Sequence, residues 1–237
     1  MNAKIFRLFI LLLISVGTAI PAFSAPPSAP KKGKAKREVE NRQLGLLLSA
    51  DAFGYIYPIF LKDKYYSAEI SATLDINNRF FPTVEVGLGH TDMVSHLYEI
   101  GYRTRAPFYR VGMDYNMQYK DKKLGYIYLG ARVGYTAFDY SVEAAPLIDP
   151  VWGDEAPVSF IDVPCQAVWA EAVGGLRAEI VRNFYMGWSL RYKYPIYRGP
   201  IANGGPWYIP GFGAGSKGVL GATYTIGYYF NFTKKKK

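Results

Sequence analysis

The chain has 237 residues with 28 Lys+Arg, 19 Asp+Glu and one cysteine, for a formal net charge of +9. The positive excess lies in the tails: residues 1–42 and 234–237 hold 12 of the bases and 2 of the acids, leaving 16 bases and 17 acids on the body 43–233. A nucleic-acid-binding fold carries its positive stripe on the folded body, so no nucleic-acid partner is expected, and the lone Cys165 rules out an intramolecular disulfide.

Residues 1–24 read as a cleavable signal peptide. Lys4 and Arg7 form a basic start, Leu8 to Val16 an apolar run broken only by Ser15, and Ala22-Phe23-Ser24 a small-residue cleavage site. The run is too short for a spanning helix of ~20 residues. Residues 25–42, with Pro26, Pro27, Pro30 and the bases Lys31 to Arg37, have little to bury and read as a disordered basic tether. Lys234 to Lys237 form a second basic tail.

From Leu44 the chain alternates apolar and polar residues in eight successive segments, the periodicity of a strand with two unlike faces. The first, about 44–57, sets Leu46, Leu48, Ala50 and Ala52 against Ser49 and Asp51. The second, Tyr66 to Ile76, sets Ala68, Ile70, Ala72 and Leu74 against Glu69, Ser71, Thr73 and Asp75. The third, about 80–90, sets Val84, Val86 and Leu88 against Thr83, Glu85 and two glycines. The fourth, about 107–119, sets Tyr109, Val111 and Met113 against Arg110 and Asp114. The fifth, about 124–138, sets Ile127, Leu129 and Val133 against Tyr128 and Arg132. The sixth, about 167–180, sets Ala170, Ala172 and Leu176 against Glu171, Arg177 and Glu179. The seventh, about 184–194, sets Trp188, Leu190 and Tyr192 against Ser189, Arg191 and Lys193. The eighth, about 219–232, sets Leu220, Tyr224, Ile226 and Phe230 against Thr223, Thr225 and Asn231.

In the strand centres every charge falls on the polar face. A soluble sandwich also alternates, so three further features name the surroundings. Six alternating positions span about 11 residues, which at ~3.4 Å each and ~40° tilt cover roughly 28 Å, near the ~25 Å apolar band of membrane barrels. The polar face mixes charges with glycines, as a narrow filled interior needs. The 21 Tyr, 14 Phe and 4 Trp gather at strand ends, as at Tyr55, Tyr57, Phe80, Phe81, Tyr194 and Tyr228. Interfacial girdles account for this excess; aromatic core packing is the alternative.

Short turns at 77–79, 120–123 and 181–183 take turns with longer links at 58–64, 91–106, 141–166 and 195–218. The expectation is an all-β, transmembrane, up-and-down antiparallel β-barrel of eight strands over 43–233, in the outer membrane, with both termini at the periplasmic short-turn rim. Closure removes the sheet edges that lipid cannot satisfy. Outer-membrane lipid and the barrel assembly machinery are its expected partners.

Four segments carry a family resemblance: Asn78-Arg79-Phe80-Phe81-Pro82, Asp149-Pro150-Val151-Trp152-Gly153, Met186 to Lys193, and Pro206-Trp207-Tyr208-Ile209-Pro210-Gly211-Phe212-Gly213. Together they resemble an uncharacterised family of Bacteroidota envelope proteins, the domain of unknown function 6048. The resemblance implies an outer-membrane barrel and no particular activity.

The candidate chemistry is sparse. Gly211 to Gly218 is glycine-rich but has Ser216 before Lys217 and a strand after it, so it is no phosphate loop; a surface loop is expected and no cofactor. His90, Asp92, Ser95 and His96 cluster at the top of the third strand. They offer a hydrolase or acyltransferase site at the outer rim if base, nucleophile and orienting group converge, and a polar loop base otherwise. Asp149, Asp154, Glu155 and Asp162 lack the regular spacing of a calcium loop. The strongest constellation is on the polar face: Asp51, Glu69, Asp75, Glu85, Asp114, Glu171 and Glu179 with Arg110, Arg132, Arg177, Arg191 and Lys193. It reads either as a polar pore or small-ligand lumen, or as a self-paired plug. The narrow interior of an eight-stranded barrel favours the plug, and the expectation is a structural or interaction protein, not an enzyme, presenting aromatic-rich loops at the cell surface to an unknown partner.

Overall fold

A computed structural model describes residues 44–52, 54, 65–95, 100–119, 125–144, 147–148, 155–156, 159–200, 205–215 and 217–232. The expected signal peptide, tether and lysine tail lie outside these residues. Eight strands form one ring: β1 (Leu44–Asp51), β2 (Tyr65–Ile76), β3 (Phe80–Ser95), β4 (Ile100–Asn116), β5 (Gly125–Glu143), β8 (Ser159–Val181), β9 (Phe184–Gly199) and β12 (Val219–Asn231). Two short hairpins lie within the longer links, β6 (Leu147–Ile148) with β7 (Glu155–Ala156), and β10 (Tyr208–Ile209) with β11 (Gly213–Ala214). The ring runs β1-β12-β9-β8-β5-β4-β3-β2 and closes. Every neighbouring pair is antiparallel, and β1 meets β12 from Gly45↔Asn231 to Asp51↔Thr225. Both ends of the ring therefore lie at the short-turn rim.

The period-two pattern sorts the side chains. On β4, Arg110 is 4% exposed and its neighbour Val111 60%. The barrel is thus apolar outside and polar inside, the reverse of a soluble barrel. Exposed Ile70, Val84, Val111, Leu129, Val133 and Leu190 form an outer belt. Outward aromatics bound it on both sides: Tyr66, Tyr109, Tyr135 and Tyr194 toward the loops, Phe184, Tyr228 and Phe230 toward the short turns. From Phe184 to Tyr194 on β9 is ten residues, ~34 Å along the strand or about 26 Å of height at ~40° tilt.

The turn after β2 holds Asn77 and Asn78 at φ 58° and 54°, a left-handed conformation that asparagine tolerates better than most side chains. The Asp75 carboxylate receives the Asn78 N–H at 2.7 Å and fixes the turn.

Several strands run longer than the alternation predicts. β3 continues to Ser95, β4 begins at Ile100, β5 runs to Glu143 and β8 starts at Ser159. The predicted link 91–106 shrinks to four residues, because Ser95 pairs with Ile100. The reason is an inversion of pattern above the belt. There the inward residues are Tyr102, Phe138, Tyr140, Cys165 and Trp169, all buried, while Arg103, Arg105 and Asp139 face outward. Apolar residues still alternate with polar ones, but on the opposite face. β1, by contrast, stops at Asp51, short of the predicted 57.

Candidate functional site

The interior is packed in three tiers. At the short-turn end, Phe81 stacks on Tyr126 at 5.1 Å. Arg177 donates to the Tyr126 hydroxyl at 2.9 Å and lies over the Tyr128 ring. Tyr229 donates to Asp75 at 2.8 Å, and Glu179 accepts the Asn183 N–H at 2.7 Å.

The middle tier is a charge network. Arg110 contacts Glu69, Glu85 (3.1 Å) and Glu171 (2.9 Å). Arg132 bridges Glu85 (2.8 Å) and Asp114 (3.1 Å). Arg191 reaches Glu69 (3.2 Å), Glu85 (2.6 Å) and Glu171 (3.5 Å). All seven side chains are at most 6% exposed. Glu85 is the hub, touched by all three guanidiniums. Charges taken out of water at this depth are tolerable only when paired and hydrogen-bonded.

These seven are joined by direct ion pairs, Lys193 lies within electrostatic reach of Glu171 and Glu69, and Asp51, Asp75, Arg177 and Glu179 have other partners. Arg177, Asp75 and Glu179 meet phenols and backbone amides. Asp51 accepts the Tyr224 N–H at 3.2 Å. Lys193 donates to the carbonyls of Gly211 (2.7 Å) and Phe212 (3.3 Å). The inward glycines serve rings as well as arginines: a Cβ at Gly112 would crowd the Arg132 stem, but one at Gly134 would overlap the Trp169 indole.

The upper tier is the feature that the sequence reading missed. The last long link does not stand at the surface. Residues 205–212 fold into the barrel mouth, and Tyr208, Ile209, Pro210, Gly211 and Phe212 are buried. Phe212 packs edge-on against Trp169 at 6.0 Å. Tyr102 donates its hydroxyl to the Tyr208 carbonyl at 2.8 Å, and Arg110 reaches the Gly211 carbonyl at 2.8 Å. Gly211 has φ +78° and lies where a Cβ would overlap Phe108, so glycine is required there on two counts. The expected exposed aromatic loop is in this part an internal plug: the upward run of inward aromatics leaves an apolar socket that only another apolar segment can fill. Trp207, 41% exposed, remains outside and stacks on Tyr102 at 5.6 Å. Cys165 is free and buried in the same tier.

Of the four rim residues, the side chains of His90 and Asp92 are described. His90 and Asp92 share the outward face of β3, opposite Arg105 and Arg103. Asp92 is 4.0 Å from Arg103 and both are solvent-exposed. The Ser95 side chain and His96 lie outside the described residues, as do Asp149 and Asp154. Among the described residues, no three His, Cys, Asp or Glu side chains are grouped to hold a metal.

A cavity of about 230 Å³ lies beside the plug, where β1 has ended. Asp51, Glu69, Arg191 and Lys193 line it together with Thr223 and Gly211.

The closed ring, apolar skin and packed charged interior define a small β-barrel turned inside out relative to soluble ones. The chain belongs to the family described as Domain of unknown function (DUF6048), whose model matches residues 5–235. That is the family expected from the four motifs. No curated protein matches the chain. Among solved structures it is similar to Neisserial surface protein A (NspA), at 12% identity over 80% of this chain and 92% of that one, with a TM-score of 0.35. It is similar to Ail, the attachment invasion locus protein of Yersinia pestis, at 11% identity over 80% and 96%, with a TM-score of 0.40. It is similar also to a major outer membrane protein from Thermus thermophilus, at 10% identity over 80% and 99%, with a TM-score of 0.44.

Proposed function

We propose that the chain is an outer-membrane β-barrel with a plugged, non-conducting lumen and a structural or interaction role at the cell surface. The observation that carries this reading is the opposition of its two sides. The outer wall is a belt of exposed aliphatic residues between aromatic rings, the surface that lipid selects. The inner side is packed with rings, paired charges and the in-folded 205–212 segment, with a cavity of about 230 Å³ beside that segment. A ring of strands satisfies every wall hydrogen bond internally only when closed, and lipid tolerates no other sheet.

The test is fractionation followed by electrophoresis and bilayer recording. The native protein is expected with outer membranes, with a heat-modifiable mobility, and without stable porin-sized current steps. Native protein found soluble in the periplasm overturns the membrane reading, and stable porin-sized steps overturn the plug.

A further inference from the structure

Charge is arranged differently at the two rims. At the loop rim the outward Arg103 stands 4.0 Å from Asp92. At the short-turn rim the acids Asp75 and Glu179 turn inward, where they accept the N–H groups of Asn78 and Asn183 and the Tyr229 hydroxyl. Arg79 is exposed in the turn between β2 and β3, and it pairs with no carboxylate among the described residues. It is nevertheless held in place. Its backbone N–H donates to the Ile76 carbonyl at 3.2 Å, and its carbonyl accepts the Asn116 N–H at 3.0 Å. Its guanidinium lies over three rings, Tyr119 at 4.8 Å, Phe80 at 5.0 Å and Tyr115 at 5.6 Å.

The rings belong to the outer wall. Phe80 and Tyr115 are opposite each other on β3 and β4 with centroids 5.6 Å apart, and Tyr119 is tilted against Tyr115 at 6.1 Å. The next outward pair up the wall is Pro82 and Met113, then Val84 and Val111 of the belt. The cation is thus fixed where hydrocarbon gives way to headgroups. Ring faces attract a guanidinium through its charge, while its planar fork of N–H donors matches two phosphate oxygens. That fork has no hydrogen-bond acceptor among the described residues. A zwitterionic head would bring an ammonium that finds no carboxylate beside it. We propose that Arg79 and its three rings bind the phosphate of an anionic phospholipid in the leaflet at the short-turn rim, with an acyl chain lying over Pro82 and Met113. The site rests on the reading of the chain as a membrane barrel.

The test places the full-length barrel, checked for heat-modifiable mobility, in phosphatidylcholine vesicles holding a trace of photoreactive phosphatidylglycerol or photoreactive phosphatidylcholine. The reactive group sits at the top of one acyl chain. Labelled peptides are read by mass spectrometry, so that lipid drawn to bases elsewhere in the chain is not counted. The phosphatidylglycerol probe is expected to label 80–82 and 113–115 about fivefold more than the phosphatidylcholine probe. Arg79→Gln is expected to bring the two probes to parity while keeping the mobility shift. Arg182→Gln, which removes an exposed base from the turn between β8 and β9, is expected to leave the ratio unchanged. Equal labelling of the wild type, or a ratio that survives Arg79→Gln, overturns the site. An equal loss in Arg182→Gln shows diffuse rim charge and overturns it as well. So does loss of the ratio in millimolar inorganic phosphate at constant ionic strength, which shows a site for the free anion. A wild-type protein with no heat-modifiable form overturns the membrane reading itself.

Discussion

Trp169 and Glu171 stand two positions apart on the inner face of β8, and the indole N–H donates to the carboxylate at 2.7 Å. That bond joins the aromatic tier to the charged tier: the same indole packs on Phe212 of the plug, and the same carboxylate holds Arg110. Trp169→Phe keeps a ring but removes the donor. A hydrogen bond to a charged group contributes about 1.5–3 kcal/mol, and the loss should appear as a lower urea midpoint for the barrel in vesicles.

Arg132→Met should cost more. Glu85 would keep Arg110 and Arg191, but Asp114 would lose the guanidinium that holds it at 3.1 Å. Stranding one member of a buried pair costs about 3–5 kcal/mol. Arg132→Met combined with Asp114→Leu should recover part of that, measured on the same unfolding curves. A double variant no more stable than the single one would show that the pairing is not what sets the cost.

Cys165 reports on the plug. Its thiol is 2% exposed and shares a cluster with Ile209 and Phe212. A maleimide should label it slowly in the folded barrel and completely after boiling. Phe212→Ala should speed folded-state labelling several-fold, whereas Tyr228→Ala, at the opposite rim, should leave the rate unchanged.

The outer belt predicts a depth-dependent penalty for charge. Val111 is 60% exposed between Val84 and Val133, so Val111→Arg should destabilise the barrel by about 2–4 kcal/mol in bilayers. The naturally outward Arg103, 64% exposed above the belt, should be replaceable by Ala within about 0.5 kcal/mol.

Topology can be read with tags. Gly45 pairs with Asn231 at the short-turn rim, so a tag after Lys237 should be shielded from antibody on intact cells and accessible once the outer membrane is permeabilised. Labelling on intact cells would invert the orientation.

The strand centres were legible because one physical demand, apolar outward and polar toward the lumen, acts on every second residue within the belt, as from Ile70 to Leu74 and from Tyr109 to Met113. The extensions were not. Around Tyr102, Phe138 and Tyr140 the outward surface has left the belt and accepts Arg103, Arg105 and Asp139, so a search for a continuing apolar-out phase stops there. The plug was hidden for another reason. Pro206 to Gly213 has the prolines and glycines of a loop and no strand alternation, and the socket that receives its aromatic residues is built by distant Phe108 and Trp169. The network's members were legible from parity alone. Their pairings were not, because Arg191 and Glu85 are brought together across the ring from β9 and β3.

The phase inversion on β4 also acts as a depth gauge. Outward along that strand stand Arg103 and Arg105, then Tyr109, then Val111 and Met113. Sinking the barrel by one outward pair, ~7 Å along the strand, would drag Arg105 toward hydrocarbon. Raising it by the same step would lift Val111 toward water. Lipid of a given thickness therefore has one preferred height on this wall, set by residues that never touch the lumen. A thinner bilayer should tilt or deform around the ring before the ring shifts its seat.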